Sequence, residues 1–326
     1  MITVEHLTKC YGDFMAVNDL SFEIGEGHVY GFLGPNGAGK STTMNIMTGC
    51  LSATSGQVKI YGHDILEEPE QAKKMIGYLP EQPPLYMNET PVEYLKFVGE
   101  AKGLKGKELK EQIEEVIEQT KIEQVKNKLI SALSKGYRQR VGIAQALLGN
   151  PKVIILDEPT VGLDPIQIIE IRDLIRQLGE NHTVILSSHI LSEVQAICDK
   201  VLIISKGKLV AFDEPENLEK LLSVSNGISF ITEASEEEVR EILCNLDEIT
   251  QCEFEERADG MIAVNIKTKS DDSQDICRQL FMAFAEKKKV ILQMSSQKAN
   301  LEDVFIELTE GENTDNQSEE REVEEE

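Results

Sequence analysis

Short apolar runs punctuate the first two thirds of the chain. Val29–Leu33, Val153–Leu156, Val184–Ser187 and Val201–Ile204 are rich in β-branched residues and carry no charge. Runs without a polar alternation predict central strands covered on both faces. Segments of helical period lie between them, so Met1 to about Pro215 predicts an α/β domain. Inside it, Pro91–Lys128 reads as helical. Leu95 and Val98, then Ile113, Val116 and Ile117, recur at helical spacing among charged residues. After Asp213-Glu214-Pro215 the texture changes. Ile228–Thr232 predicts a strand. Ser235 followed by Glu236–Glu238 predicts an N-capped helix with an apolar stripe of Val239, Ile242, Leu243 and Leu246. Gln251–Glu256 and Met261–Lys267 flank Asp259-Gly260, a hairpin signal. Asp272–Lys287 predicts a helix and Val290–Ser295 a strand. The resulting β-α-β-β-α-β order is the ferredoxin-like one, a small α+β domain. A short helix over Leu301–Leu308 is expected to follow. The division expected is a first domain over 1–215, a linker over 216–226, an accessory domain over 227–309 and a tail over 310–326.

Charge sharpens this picture. The chain has 326 residues with 33 basic and 58 acidic side chains, a formal net charge of −25. Nine acids and one base fall in Glu310–Glu326, which reads as a disordered acidic tail. Such acidity argues against a nucleic-acid partner, and none is expected. Apolar residues make up 40% of the chain, enough for a substantial core. The longest apolar runs are strand-sized, far short of the ~20 residues a spanning helix needs. Glu5, Lys9 and Asp13 interrupt any leader-like stretch. The six cysteines are scattered, with no CxxC, and are expected to be reduced packing residues in a cytosolic protein.

Candidate chemistry centres on Gly34-Pro35-Asn36-Gly37-Ala38-Gly39-Lys40-Ser41, which fits G-x-x-x-x-G-K-[ST] between a predicted strand and a predicted helix, Ser41–Thr48. Its backbone N–H groups and the helix N-terminus suit a phosphate chain. Lys40 would reach the β- and γ-phosphates, Ser41 would coordinate Mg²⁺, and Thr42 would add a phosphate contact. A bare glycine-rich turn is the alternative. Val153–Leu156 then delivers Asp157 and Glu158 at a strand end, where α/β sheets bind ligands. Asp157 would hold Mg²⁺ and Glu158 could polarise an attacking water. His189 follows the next predicted strand and could reach the γ-phosphate.

Taken in order, these residues resemble the ABC (ATP-binding cassette) ATPases. Leu133-Ser134-Lys135-Gly136-Tyr137-Arg138-Gln139-Arg140 resembles the family's LSGGQ-type signature. Val161-Gly162-Leu163-Asp164 resembles its D-loop, Gln82 its loop glutamine, His189 its switch histidine, and Tyr11 its adenine-stacking aromatic residue. The resemblance covers roughly Met1–Asp213. It implies a P-loop cassette with a helical subdomain at about 88–150, an ATPase activity, and ATP and Mg²⁺ as ligands. It also implies that Ser134 and Gly136 contact the γ-phosphate. Gln82 joins Ser41 and Asp157 around Mg²⁺ and is grouped with Glu158 and His189 among the catalytic residues. Lys135 and Tyr137 depart from the LSGGQ consensus. A similar variant marks cassettes that serve separate export permeases.

The resemblance further implies a head-to-tail homodimer or heterodimer with a second ABC cassette, ATP lying between phosphate loop and signature. Gln82 sits beside Pro80, Pro83 and Pro84, and nearby Leu85, Tyr86, Val92, Tyr94 and Phe97 supply apolar material for a membrane subunit. The leading expectation is the ATPase subunit of an exporter, cytoplasmic and held on the inner membrane face by a separately encoded permease. The alternative is a soluble ABC ATPase uncoupled from transport. Such proteins usually carry two cassettes, zinc modules or long coiled coils, none of which the sequence shows. Asn300–Phe305 resembles the closing segment of exporter cassettes.

Overall fold

In the computed structural model, residues 1–221, 226–244, 246, 248–257, 260–268 and 273–297 are described. Two long strands open the chain, β1 (Ile2–Tyr11) and β2 (Phe14–Ile24). β3 (Val29–Leu33) follows, buried at all of its positions. α1 (Lys40–Met47) leads to β4 (Ser55–Ile60) and β5 (His63–Asp64), then α2 (Pro69–Lys74) and β6 (Ile76–Leu79). Three helices come next, α3 (Pro91–Ala101), α4 (Gly106–Gln119) and α5 (Lys135–Leu147). β7 (Val153–Leu156), α6 (Pro165–Gly179), β8 (Thr183–Ser188), α7 (Leu191–Ile197), β9 (Lys200–Ser205) and β10 (Lys208–Asp213) complete the first unit.

Six strands form one sheet in the order β10-β9-β3-β8-β7-β6, parallel throughout except for β10. Four form an antiparallel sheet, β2-β1-β4-β5. Both sheets contribute to one core, where Phe22 meets Phe32 edge-on at 5.5 Å between ring centroids. The parallel register puts the C-terminal ends of β3, β7 and β8 side by side, with Leu33 opposite Ser188 and Leu156 opposite Leu186. That edge is where an α/β sheet binds its ligand.

The stretch expected to be helical over Pro91–Lys128 holds two helices as far as Gln119 and then a series of turns. Gly103, at φ +92°, breaks the chain after α3. α4 stops at Gln119, where Thr120 donates its hydroxyl to the Val116 carbonyl at 2.6 Å and Lys121 turns to φ +56°. The apolar spacing persisted through 128 because Ile122 and Val125 are buried from turns. Thr90 caps α3 with a reciprocal Glu93 bond, and Ser134 caps α5 by accepting from the Tyr137 N–H at 3.4 Å.

A second compact unit begins at Glu216. Its elements are α8 (Pro215–Leu221, bridging the boundary), β11 (Asn226–Thr232), α9 (Glu236–Leu243), β12 (Ile249–Glu256), β13 (Ile262–Thr268), α10 (Ser273–Glu286) and β14 (Ile291–Gln297). The sheet is antiparallel in the order β12-β13-β11-β14, the ferredoxin-like arrangement. Ser235 and Glu238 form a capping box at the head of α9. Ile228, Phe230 and Val264 from the strands pack with Val239, Ile242, Ile276, Leu280 and Phe284 from the helices. Asp259, Asp272, the helix expected over 301–308, the 300–305 segment and the 310–326 tail lie outside the described residues. Among the described residues, no helix is long and apolar enough to cross a membrane.

Candidate functional site

Beyond Leu33 the chain leaves the sheet and wraps into the N-terminus of α1. Gly39 caps that helix at φ +102°, and a Cβ there would lie 2.5 Å from the Ala16 carbonyl oxygen. Only glycine fits both the conformation and the approach. The turn borders a cavity of about 430 Å³ lined by residues 36–42, by Tyr11, Phe14 and Ala16, and by Glu81, Glu158, Val161 and His189.

The charged groups are cross-linked beneath it. Lys40 is buried, and its ammonium donates to the carbonyls of Gly34 at 2.8 Å and Pro35 at 3.3 Å. It lies 3.9 Å from Glu158 Oε1. Burial pushes the Lys40 pKa down, opposed by the charges of Glu158 and Asp157. Asp157 is buried and accepts from Ser41 Oγ at 3.1 Å and from Ser187 Oγ at 2.6 Å. Ser187 Oγ in turn accepts the Glu158 N–H at 2.8 Å. Glu158 adopts φ +48°, a left-handed conformation that costs a non-glycine residue on the order of 1 kcal/mol. That turn aims its carboxylate at the cavity, where Oε2 lies 3.0 Å from His189 Nδ1. A lysine, a base–histidine pair and a hydroxyl–carboxylate pair thus meet around one concavity.

The structure gathers some of the expected residues and separates others. Tyr11, Asn36–Thr42, Glu158 and His189 line the cavity. Gly34 and Pro35 contribute carbonyls to Lys40, and Asp157 lies beneath, bonded to Ser41. Ser134 and Gly136, at the head of α5, do not line it. Gln82 is exposed and is not among the lining residues, while its neighbour Glu81 is. Phe14, Ala16 and Glu81 line the cavity without any role expected from the sequence, and Val161 was expected only as part of the D-loop resemblance. Phe14 had a signal: it pairs with Tyr11 across a two-residue turn, so two aromatic residues share one hairpin end. Of the apolar residues near the proline-rich loop, Tyr94 is buried, while Tyr86 and Phe97 are about half exposed, with ring centroids 5.2 Å apart.

A phosphate-binding turn at the end of β3, with an acidic pair just past the end of β7, the next strand but one in the same parallel sheet, defines a P-loop nucleotide hydrolase. The ABC transporter family model matches residues 17–161. Over 313 residues the chain is 34% identical to the bacitracin transport ATP-binding protein BcrA of Bacillus licheniformis, covering 95% of this chain and 98% of that one. It is 33% identical to the linearmycin resistance ATP-binding protein LnrL of Bacillus subtilis, covering 95% and 98%. A dimeric ATP-binding cassette in a post-hydrolysis state bound to ADP and Pi superposes with a TM-score of 0.60 at 27% identity, covering 66% of this chain and 98% of that one. The chain belongs to the ATP-binding subunits of ABC transporters, and its activity is ATP hydrolysis.

Proposed function

We propose that this chain powers an exporter as one of two cassettes closing head to tail around two ATP molecules, with the membrane pathway supplied by a separate permease. One observation carries the reading. The cavity holds the lysine, base and histidine, while Ser134 and Gly136 of the signature lie outside it. A signature supplied by a second copy, or by a different cassette, completes the site.

The proposed roles follow from the geometry. Residues 36–42 and the α1 N-terminus cradle the phosphates, with Lys40 on the β- and γ-phosphates. Tyr11 stacks on adenine. Ser41 and Asp157 present hard oxygen donors bonded at 3.1 Å, a donor set that fits Mg²⁺. Mg²⁺ bound there neutralises charge on the phosphates. Glu158 accepts a proton from the attacking water, and His189 orients Glu158 and meets the γ-phosphate. The cavity wall supports Glu81, rather than Gln82, as the loop residue facing the nucleotide. Closure is a population shift: two ATP molecules bind the closed pair better than the open one, and hydrolysis removes the difference.

The exporter reading draws on BcrA and LnrL, whose likeness spans 95% of this chain. It places the chain peripherally on the inner membrane face. The exposed Tyr86 and Phe97 pair is the surface we assign to the permease. The test is a pull-down of tagged Glu158→Gln from its native cell, with membranes solubilised in ATP and Mg²⁺. A polytopic membrane protein at comparable abundance, reduced by adding Tyr86→Ala, is the expected result. Recovery only from the soluble fraction, with ribosomal, repair or scaffold proteins, would support an ABC ATPase uncoupled from transport.

A further inference from the structure

Behind the Glu158–His189 pair lies a buried carboxylate that the roles above do not use. Glu193, in the first turn of α7, is only 3% exposed. Its Oε2 accepts from Thr160 Oγ1 at 2.5 Å and from Ser188 Oγ at 3.3 Å. Its Oε1 lies 3.7 Å from Arg172 Nη2 on α6. Thr160 and Ser188 are themselves buried. Thr160 stands two residues after Glu158, and Ser188 immediately precedes His189. One carboxylate therefore ties together the two turns that carry the base and the histidine.

This is a costly way to fill a core. A buried charge needs full compensation. Glu193 has two hydroxyl donors and one long ion pair, and Arg172 Nε is buried without a hydrogen-bond partner among the described residues. Apolar side chains would stabilise the same space at least as well. What they would not supply is directional spacing between two loops. Ser187 already links the turns once, through Asp157 Oδ1 and the Glu158 N–H. That link reaches from β8 to Asp157 and Glu158, the two residues after β7. Glu193 adds a second link, from Thr160 past the base to Ser188 next to the histidine.

We infer that Glu193 is a positioning residue: through Thr160 and Ser188 it holds Glu158 and His189 at hydrolytic spacing. The inference rests on the proposed hydrolytic roles of those two residues. A misplacement of about 1 Å at a reacting group can cost on the order of 100-fold in rate. Thr160 also opens the Val161–Asp164 turn, its carbonyl accepting the Leu163 N–H at 3.2 Å. A displacement of that turn would be transmitted to Glu193 and from there to His189.

The experiment measures steady-state ATP hydrolysis by the full-length chain carrying Thr160→Val, Thr160→Ser or Glu193→Gln. Thr160→Val keeps volume and removes the donor. Thr160→Ser keeps the donor and leaves a small void. The expected result is a kcat lowered roughly 10- to 100-fold in Thr160→Val and Glu193→Gln, with KM for ATP within about twofold of wild type. Thr160→Ser should stay near wild type. The double variant Thr160→Val/Glu193→Gln should lose less than the product of the two single losses, since one removes the donor and the other weakens the acceptor of the same link. A packing role predicts the reverse order, Val tolerated and Ser impaired, and that order would overturn the inference. So would wild-type kcat in Thr160→Val with only a lowered Tm. A wild-type chain that binds ATP but hydrolyses none would instead overturn the hydrolytic roles, and the inference with them.

Discussion

The two chemistry-bearing ends of the cassette are built in opposite ways. At the cavity, the ends of β3, β7 and β8 converge and each charged group is braced inside the chain. Lys40 is held by two carbonyls, Asp157 by two hydroxyls, and Glu158 by Ser187 and His189. At the head of α5, Ser134 is exposed, its hydroxyl accepts the Tyr137 N–H as the helix cap, and Lys135 beside it is exposed too. The parallel sheet requires the first arrangement, because three buried carboxylate and ammonium groups demand partners. A helix N-terminus on the surface has no such demand. Its free N–H groups and dipole suit an anion arriving from outside. The contrast separates a preformed half-site from a half-site presented outward, and each can be broken independently.

Glu158→Gln tests the contrast most severely. Loss of a positioned base typically costs 10²- to 10⁴-fold, so kcat should fall by roughly 1,000-fold. ATP affinity should hold, because Lys40 keeps its carbonyl partners. Light scattering at saturating ATP and Mg²⁺ should then show a trapped dimer, while the wild type relaxes to monomer as ATP is consumed. A Glu158→Gln chain that stays monomeric would refute the composite site for this chain alone. Two alanine substitutions separate the ends. Gly39→Ala combines φ +102° with a Cβ 2.5 Å from a backbone oxygen that cannot move aside. It should weaken ATP binding by about 100-fold, read by nucleotide fluorescence at any protein concentration. Gly136→Ala places its Cβ 2.6 Å from the side chain of Gln167, which can swing away. ATP binding should be unchanged and hydrolysis reduced about tenfold. Equal effects on binding would place both glycines in one half-site.

Legibility in the sequence divides along similar lines. Strands buried on both faces announced themselves as charge-free runs, and β3 and β7 have the limits their apolar residues imply. The phosphate turn was legible because a local backbone conformation dictates its glycines. The brace beneath it was not. Ser187 and Glu193 come near Asp157 and Thr160 only through the pairing of β8 with β7, and one sequence carries no signal of that distance. Two adjacent polar residues, Glu81 and Gln82, were equally eligible to face the cavity from a proline-rich loop, and periodicity has no purchase outside a strand or helix. The break at Gly103 was written in the sequence but masked by apolar spacing that continued into the following turns.

Lys40 offers a milder test of the preformed end. Its burial lowers its pKa, and the ammonium is the form that binds phosphate. Rising pH should therefore remove ATP affinity earlier than an exposed lysine would, by up to about tenfold per pH unit beyond that pKa. The sign is fixed: affinity falls as pH rises. Isothermal titration from pH 7 to 10 reads it, and an affinity flat across that range would show the lysine charge to be dispensable.

The smallest effect expected lies at the mouth of the cavity, where the sequence indicated one aromatic residue and the structure provides two. Tyr11 is about half exposed, with the Lys9 ammonium 5.2 Å from its ring centroid. Phe14 is paired with it across the turn and is more exposed still. Stacking of a base on an aromatic ring is worth about 1–3 kcal/mol when the ring is truncated to alanine. A solvent-exposed platform belongs at the lower end of that range, and a second ring nearby can take over part of the contact. Tyr11→Ala should therefore weaken ATP binding only about threefold to tenfold, and Tyr11→Phe should leave it unchanged because the hydroxyl has no part in stacking. Phe14→Ala discriminates between the two rings. If it costs more than Tyr11→Ala, the adenine rests on Phe14 and the aromatic assignment drawn from the sequence shifts by three residues. Either result should appear in the monomer at low protein concentration, because this end of the cassette needs no second chain to bind a base.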